Sequence, residues 1–130
     1  MGNACDRKIQ MIILDANYIL RFLLKDNLEM FEIAKDCIVS NTCLIPNEVL
    51  AEVVFVLLKV YHTEKQDIKE SLTSILMYDN IVITDKETVI KSLEIFNNKN
   101  LDFVDCILCA KSKEYTIKTF DKKLLKCINS

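Results

Sequence analysis

The chain has 130 residues, of which 51% are hydrophobic, and its formal net charge is −2 at pH 7 with a pI of about 5.4. This composition supplies enough apolar side chains for one packed domain and excludes the low hydropathy and large net charge that are typical of disordered proteins. The near-balance of charge also excludes the overall basic field of a protein that coats DNA. No uncharged apolar run reaches the ~18 residues of a membrane-spanning helix, so we expect a cytoplasmic protein without membrane contact.

The N-terminal segment and the cysteines give two further expectations. Residues 1–10, MGNACDRKIQ, lack the apolar region of a secretory signal, and we expect them to be a flexible extension of a single domain over residues 11–130. Without an export signal, the six cysteines indicate reduced thiols. Cys106 and Cys109 form a C-x-x-C, but a zinc site needs about four ligands and His62 is the sole histidine. We interpret both cysteines as small buried helix residues and His62 as a surface residue at a helix end.

The spacing of apolar residues predicts strands that alternate with helices along the chain. In chain order we predict a strand over 9–14, helices over 17–24 and 27–40, a strand over 42–45, helices over 48–61 and 64–78, a strand over 81–83, helices over 85–97 and 102–114, a strand over 116–120, and a helix over 121–127. Such alternation indicates an α/β protein in which helices cover both faces of a parallel sheet.

Two of the predicted strands are followed by an aspartate. Asp15 comes after the apolar run 11–14, which is typical of a buried strand, and Asp121 comes after the strand over 116–120. Burial of an unpaired carboxylate costs several kcal/mol, and the ligand crevice of a parallel sheet lies beyond the carboxyl ends of its strands. Aspartate is also a common helix N-cap, so each residue has a structural alternative to a functional role.

Two of the predicted helices carry acidic residues within their apolar pattern. By the i, i+3, i+4 rule Glu52 shares a helix face with Val49, Val53 and Val56, which indicates a carboxylate on the apolar stripe. Asp102 and Asp105 lie three residues apart on one face of the helix over 102–114, and Asp102 is also explained as the N-cap of that helix. Asp105 lies inside the apolar pattern and has no such explanation.

If the four acids at these positions converge, their negative charges must be compensated. The residues in question are Asp15, Glu52, Asp105 and Asp121. Carboxylates that share a site repel one another, which raises their pKa values, and clusters of oxygen ligands are typical sites for Mg²⁺ or Mn²⁺. We therefore predict that Asp15 faces a divalent cation together with the other acids.

The stretches that carry these acids resemble the PIN domain family and, within it, the VapC-like toxins of type II toxin–antitoxin pairs. The matching stretches, which occur in the order of the family, are IILDANYILRFLL, IPNEVLAEVVFVLLKVY, LDFVDCILCAKSKE and TIKTFDKKLLK. The resemblance implies a three-layer α/β/α fold with a mostly parallel sheet of about four to five strands. The chain departs from the family at Glu114 and Tyr115, where the family usually has glycine before the last strand.

The resemblance also implies an activity, namely a Mg²⁺- or Mn²⁺-dependent endoribonuclease that hydrolyses phosphodiester bonds of RNA. It places catalytic roles on Asp15, Glu52, Asp105 and Asp121, and metal binding on the three aspartates among them. Asp102, Asn17 and Thr119 are possible accessory residues, since Asn17 lies two residues after the first aspartate and Thr119 two residues before the last.

The implied partners are an RNA substrate, a cognate antitoxin and a second copy of the chain. We expect the first helices to supply the docking or dimer face through Tyr18, Phe22 and Leu23. Lysines are frequent in the last third of the chain and could hold the phosphate backbone, although a solvated surface is the simpler explanation for them.

Other classes of protein remain open as alternatives. A PIN-like module that only binds a partner would have the same fold without the activity. Haloacid-dehalogenase-like phosphatases also begin with a strand that ends in aspartate, but they need D-x-D where this chain has Asp15, Ala16 and Asn17. A response-regulator receiver needs paired acids after its first strand, and the chain lacks them there.

Overall fold

The computed structural model describes residues 11–130, which form short strands and seven helices. The elements are β1 (Ile12–Ile13), α1 (Ala16–Leu24), α2 (Leu28–Ser40), β2 (Cys43–Leu44), α3 (Asn47–Lys59), α4 (Lys65–Leu76), β3 (Ile81–Val82), α5 (Lys86–Asn98), α6 (Phe103–Lys111) and α7 (Lys122–Ile128). The expected extension over 1–10 lies outside the described residues, as does the beginning of the strand predicted over 9–14. None of the helices in this part of the chain is long and apolar enough to cross a bilayer.

The strands form one parallel sheet in the order β1-β2-β3. Ile12 pairs with Cys43, and Cys43 pairs in turn with Ile81, so the three strands are aligned residue by residue. The α/β class and the parallel sheet are confirmed. The sheet has three strands within residues 11–130, however, which is fewer than the four to five expected.

The strand predicted over 116–120 is wrong. This segment has no regular secondary structure, and Phe120 at its end is completely exposed, whereas a sheet residue of this type would pack against a neighbouring layer. β1 therefore forms an edge of the sheet. Its Ile13 side chain is 63% exposed although Leu14 is buried, so the run over 11–14 is not the fully buried strand that its composition indicated.

One core holds the helices against the sheet. Each of five helices contributes a side chain that is almost completely buried, namely Ile19, Val53, Leu72, Leu93 and Cys106. The rings of Phe96 on α5 and Phe103 on α6 lie edge to face, with 5.9 Å between their centroids. This contact holds the beginning of α6 against α5 and so positions the acidic residues that surround it.

A disulfide bond joins α6 to α7 through Cys109 and Cys127, whose Cα atoms are 6.1 Å apart. The expectation of reduced thiols is therefore wrong for this pair. Cys106, the other cysteine of the C-x-x-C, is free and buried, and burial raises the pKa of its thiol to about 12. Both C-x-x-C residues are buried helix residues, as expected.

We predict that loss of the Cys109–Cys127 bond lowers the free energy of unfolding by about 3 kcal/mol. A crosslink between residues separated by 18 positions restricts the unfolded chain by about that amount in the chain-entropy model. The measurement is urea denaturation of the oxidised protein with and without a reductant.

The Cys127→Ser variant provides the control, because its stability should not respond to the reductant. The free and half-buried Cys37 offers a matched substitution, Cys37→Ser, which should leave the response intact. Equal urea midpoints of the wild type with and without reductant would contradict the prediction.

Candidate active site

A cleft of about 680 Å³ contains three of the aspartates singled out from the sequence. We call it the acidic cleft. Its lining residues are Leu58, Lys59, His62, Lys65, Asn100, Leu101, Asp102, Asp105, Asp121 and Lys123. It lies where the end of α3 and the beginning of α4 face the beginnings of α6 and α7, so its carboxylates stand opposite basic side chains from α3 and α4.

Two of these aspartates begin helices. Asp102 is the N-cap of α6, and its Oδ1 accepts a hydrogen bond from the backbone N–H of Asp105 at 3.0 Å. Asp121 is the N-cap of α7, and its Oδ1 accepts from the backbone N–H of Leu124 at 2.8 Å. Both residues thus have the structural role that the sequence left open. Each cap uses Oδ1, so neither Oδ2 atom takes part in the capping bond.

Asp105 is the most enclosed carboxylate of the cleft. Its side chain is half-buried, whereas Asp102 and Asp121 are exposed. Burial raises the pKa of Asp105, and the negative charges of Asp102 and Asp121, with hydrogen bonding to the Asp102 side chain, raise it further. The three carboxylates are therefore close enough to repel one another.

Thr119 positions Asp121. Its Oγ1 accepts a hydrogen bond from the backbone N–H of Asp121 at 3.0 Å. The segment that leads to Asp121 lacks strand pairing, so this bond and the cap of α7 are the contacts that orient the aspartate. This geometry is consistent with an accessory role for Thr119.

Asp15 and Glu52 do not line the acidic cleft. Asp15 is exposed, and its Oδ1 accepts from the backbone N–H of Tyr18 at 3.0 Å, which makes it the N-cap of α1. Glu52 is also exposed. It precedes Lys59, which does line the cleft, by two turns of α3, or about 10 Å along the helix axis. The predicted burial of Asp15 and the placement of Glu52 on the apolar stripe are therefore wrong.

Of the predicted site residues, the acidic cleft itself is lined by Asp102, Asp105 and Asp121. Asn17 lines a separate groove between α1 and α2. Within residues 11–130, no group of three His, Cys, Asp or Glu side chains is arranged to hold a metal ion. The oxygen donors of the cleft suit a hard divalent cation. The pKa of Asp105 is raised by burial and then by the charges of Asp102 and Asp121, and a cation would relieve the repulsion among these charges. The donor chemistry fits such an ion, whereas these side chains do not form a closed coordination shell.

A comparison with models of protein families matches the chain to the PIN domain over residues 12–127. The chain belongs to the PIN domain family. The matched range includes every acid discussed above and all of the elements from β1 to β3 and from α1 to α6. Comparisons with curated proteins and with solved structures give no significant match.

Family membership connects the site to a class of chemistry. PIN domains are typically nucleases, and PIN nucleases generally use divalent metal ions. The chain therefore carries the fold of a nuclease family, and the acidic cleft of this PIN domain holds the type of ligand that such an ion requires.

The sequence did not identify the basic wall of the cleft, which consists of Lys59, His62 and Lys65. His62 is exposed as expected, but it lies in the cleft and has a left-handed backbone conformation with φ of 53°. Lys65 is held in place, since its Nζ donates to the carbonyl oxygen of Lys99 at 3.2 Å and lies 4.5 Å from the centroid of the Phe96 ring. The sequence feature that could have indicated this wall is the occurrence of three basic residues within positions 59–65.

We predict that Asp105→Asn stabilises the metal-free PIN domain at pH 7 by on the order of 1 kcal/mol, because it removes a half-buried charge and its repulsion from two neighbours. The substitution does not affect the backbone N–H of residue 105, which donates to Asp102 in the N-cap of α6. Since the folded pKa of Asp105 is raised, the destabilising effect of its charge is present above that pKa. The advantage of the variant should therefore shrink as the pH falls through the folded pKa towards ~4.

Denaturation in EDTA across a pH series measures this difference. Asp36→Asn is the matched control, because Asp36 is exposed on α2 away from the cleft and should change stability by less than about 0.5 kcal/mol. A wild type and an Asp105→Asn variant of equal stability at pH 7 would show that the three carboxylates do not repel.

Proposed function

We propose that this PIN domain is a Mg²⁺- or Mn²⁺-dependent endoribonuclease that hydrolyses phosphodiester bonds of RNA. The observation that carries the proposal is the acidic cleft, in which Asp102 and Asp121 lie near the half-buried Asp105. Burial, and then the charges of these two neighbours, raise the pKa of Asp105. A bound metal ion supplies the activation of a water molecule and the neutralisation of phosphate charge. No side-chain nucleophile is needed for such hydrolysis.

The residues of the cleft divide this work. Asp105 and Asp121 are the proposed metal ligands, with Asp102 as an accessory carboxylate beside them. Thr119 keeps Asp121 oriented through its hydrogen bond to the backbone. Basic side chains of the cleft attract the RNA phosphates. These residues are Lys59, Lys65 and Lys123.

On the basis of the family resemblance, the catalytic set that we propose also includes Asp15 and Glu52. Asp15 is the proposed third metal ligand. Asp15 follows β1 at the carboxyl edge of the sheet, and its N-cap hydrogen bond uses only Oδ1. Both carboxylates are exposed, so a ligand can reach them. Asn17 is a proposed substrate contact through its position beside Asp15.

We further propose that the protein is the VapC-like toxin of a toxin–antitoxin pair, and that it acts in the cytoplasm as a homodimer controlled by an antitoxin. A groove of about 220 Å³ between α1 and α2 is the candidate docking face. Its lining residues are Asn17, Tyr18, Arg21, Met30, Ile33 and Ala34. Of the residues expected at this face, Tyr18 is exposed, whereas Phe22 and Leu23 are partly buried against the core.

The alternative function is a PIN-like module that binds a partner without catalysis. It is favoured by one observation, which is that no three metal-ligating side chains within residues 11–130 are arranged around a common point. A module of this kind would bind RNA or protein without a requirement for metal, and would tolerate neutral substitutions of the aspartates.

Neutral substitutions at the capping aspartates separate catalysis from helix capping. We predict that Asp121→Asn and Asp15→Asn each lower the rate of RNA cleavage at least 100-fold and change stability by less than about 1 kcal/mol, because asparagine caps helices about as well as aspartate but is a weaker metal ligand. The measurement is cleavage of mixed single-stranded RNAs with millimolar Mg²⁺ or Mn²⁺, beside a thermal melt of each variant.

Omission of the metal and the Asp36→Asn variant serve as controls. Cleavage should stop in EDTA and should be unaffected in Asp36→Asn. Loss of activity in Asp121→Asn but not in Asp15→Asn would restrict the site to the acidic cleft. A wild type that binds RNA but does not cleave it with either metal would support the non-catalytic alternative.

For the proposed dimer, we predict that light scattering shows two copies and that Ile33→Glu yields monomers. Ile33 lines the α1–α2 groove and is 53% exposed, so a charge there blocks an apolar interface with little effect on the fold. Val39→Glu is the matched control, because Val39 is exposed on the same helix and does not line the groove. A wild type that is monomeric at micromolar concentration would contradict the dimer.

A further inference from the structure

A second concavity of about 270 Å³ adjoins the acidic cleft. We call it the basic pocket, and its lining residues are Lys99, Asn100, Leu101, Lys123, Lys126, Cys127 and Ser130. Three of them, Asn100, Leu101 and Lys123, also line the acidic cleft. The basic pocket and the acidic cleft therefore share a wall, and an extended polymer bound in one can continue into the other.

The basic pocket differs in charge from the acidic cleft, in which three aspartates lie with three lysines. Lys123 and Lys126 lie three residues apart on α7 and so point to the same side of that helix, while Lys99 follows the end of α5. None of the residues that line the pocket has an acidic side chain. Within residues 11–130, these lysines also make no ion pair with a carboxylate. Three lysines, none of them in an ion pair within residues 11–130, therefore lie around this mainly apolar pocket.

The base of the pocket is apolar and held in place. Leu101 and Cys127 are both buried, and the disulfide bond fixes Cys127 to α6. The backbone carbonyl oxygen of Lys99 accepts a hydrogen bond from the side chain of Lys65, which lines the acidic cleft. This bond holds the backbone of Lys99 beside the cleft. Positive charges around an apolar concavity attract an anion more strongly than the same charges on a convex, fully hydrated surface.

We propose that the basic pocket is a phosphate subsite for the RNA strand, in which Lys99, Lys123 and Lys126 bind a phosphate neighbouring the scissile one and the apolar base contacts the adjoining ribose. The inference rests on the proposed function, because it takes single-stranded RNA as the substrate. It adds a direction, since the strand runs from the acidic cleft towards the end of α7. It also implies that substrates too short to reach the pocket bind weakly.

The test compares two double variants with equal changes of charge. Lys99→Gln with Lys126→Gln removes two charges from the pocket but leaves Lys123, which also lines the acidic cleft. Lys35→Gln with Lys91→Gln removes two charges from exposed positions on α2 and α5 that line neither concavity. The probe is a fluorescently labelled single-stranded oligoribonucleotide in EDTA, titrated with protein at several salt concentrations.

We expect the pocket variant to bind the oligoribonucleotide at least 10-fold more weakly at low salt. The slope of log K against log salt should become shallower by about 0.7 for each phosphate contact that is lost. The control variant should resemble the wild type, and Lys99→Arg with Lys126→Arg should restore binding because the charge is retained. All variants change exposed side chains, and thermal melts verify that they fold.

A cleavage assay with Mg²⁺ or Mn²⁺ separates this inference from the proposed function. The pocket variant should have a higher KM than the wild type and nearly the same kcat. On oligonucleotides too short to reach the pocket, its KM should equal that of the wild type. Cleavage and binding equal to those of the control variant would overturn the subsite and leave the nuclease intact. Weaker binding by the pocket variant of a protein that cleaves no RNA would retain the subsite and overturn the nuclease, and a wild type that binds no RNA would overturn both.

Discussion

The aspartate N-cap is the interaction on which both the helices and the site depend. Asp15, Asp102 and Asp121 each accept a hydrogen bond from the backbone N–H three residues later, and so begin α1, α6 and α7. A cap of this kind stabilises a helix by about 1 kcal/mol. At α6 and α7 the same carboxylates also lie in the acidic cleft, where they repel Asp105. Helix initiation therefore concentrates negative charge at the beginning of two neighbouring helices.

The helices and the parallel sheet could be predicted because their signals are local. The apolar period of α2 gave 27–40 against Leu28–Ser40 in the structure, and that of α5 gave 85–97 against Lys86–Asn98. The strand over 116–120 could not be judged in this way, since a strand exists only through pairing with a distant segment. The alternating composition of this segment is compatible with a sheet, but the side chain of Phe120 is fully exposed and packs against no other layer.

The candidate site was predicted in part for the same reason. Asp105 and Asp121 share the acidic cleft because α6 and α7 pack together, as their order in the chain suggested. Glu52 was misplaced because it was assigned to the apolar stripe from its spacing to valines of α3, whereas the helix buries Val53 and leaves Glu52 exposed. The basic wall was not predicted because Lys59 ends α3 and Lys65 begins α4, and only tertiary packing brings these two helix ends to face α6.

The disulfide bond has a consequence for how the cleft can adapt to a ligand. Cys109 lies one turn after Asp105 on α6, and Cys127 belongs to the helix that Asp121 begins. The covalent link limits sliding or separation of these two helices. Changes in the distance between the two carboxylates must then come mainly from rotation about side-chain bonds, which takes picoseconds to nanoseconds, rather than from slower rigid-body motion of helices. While the bond is intact, the two carboxylates can adjust to a ligand without waiting for the backbone to move.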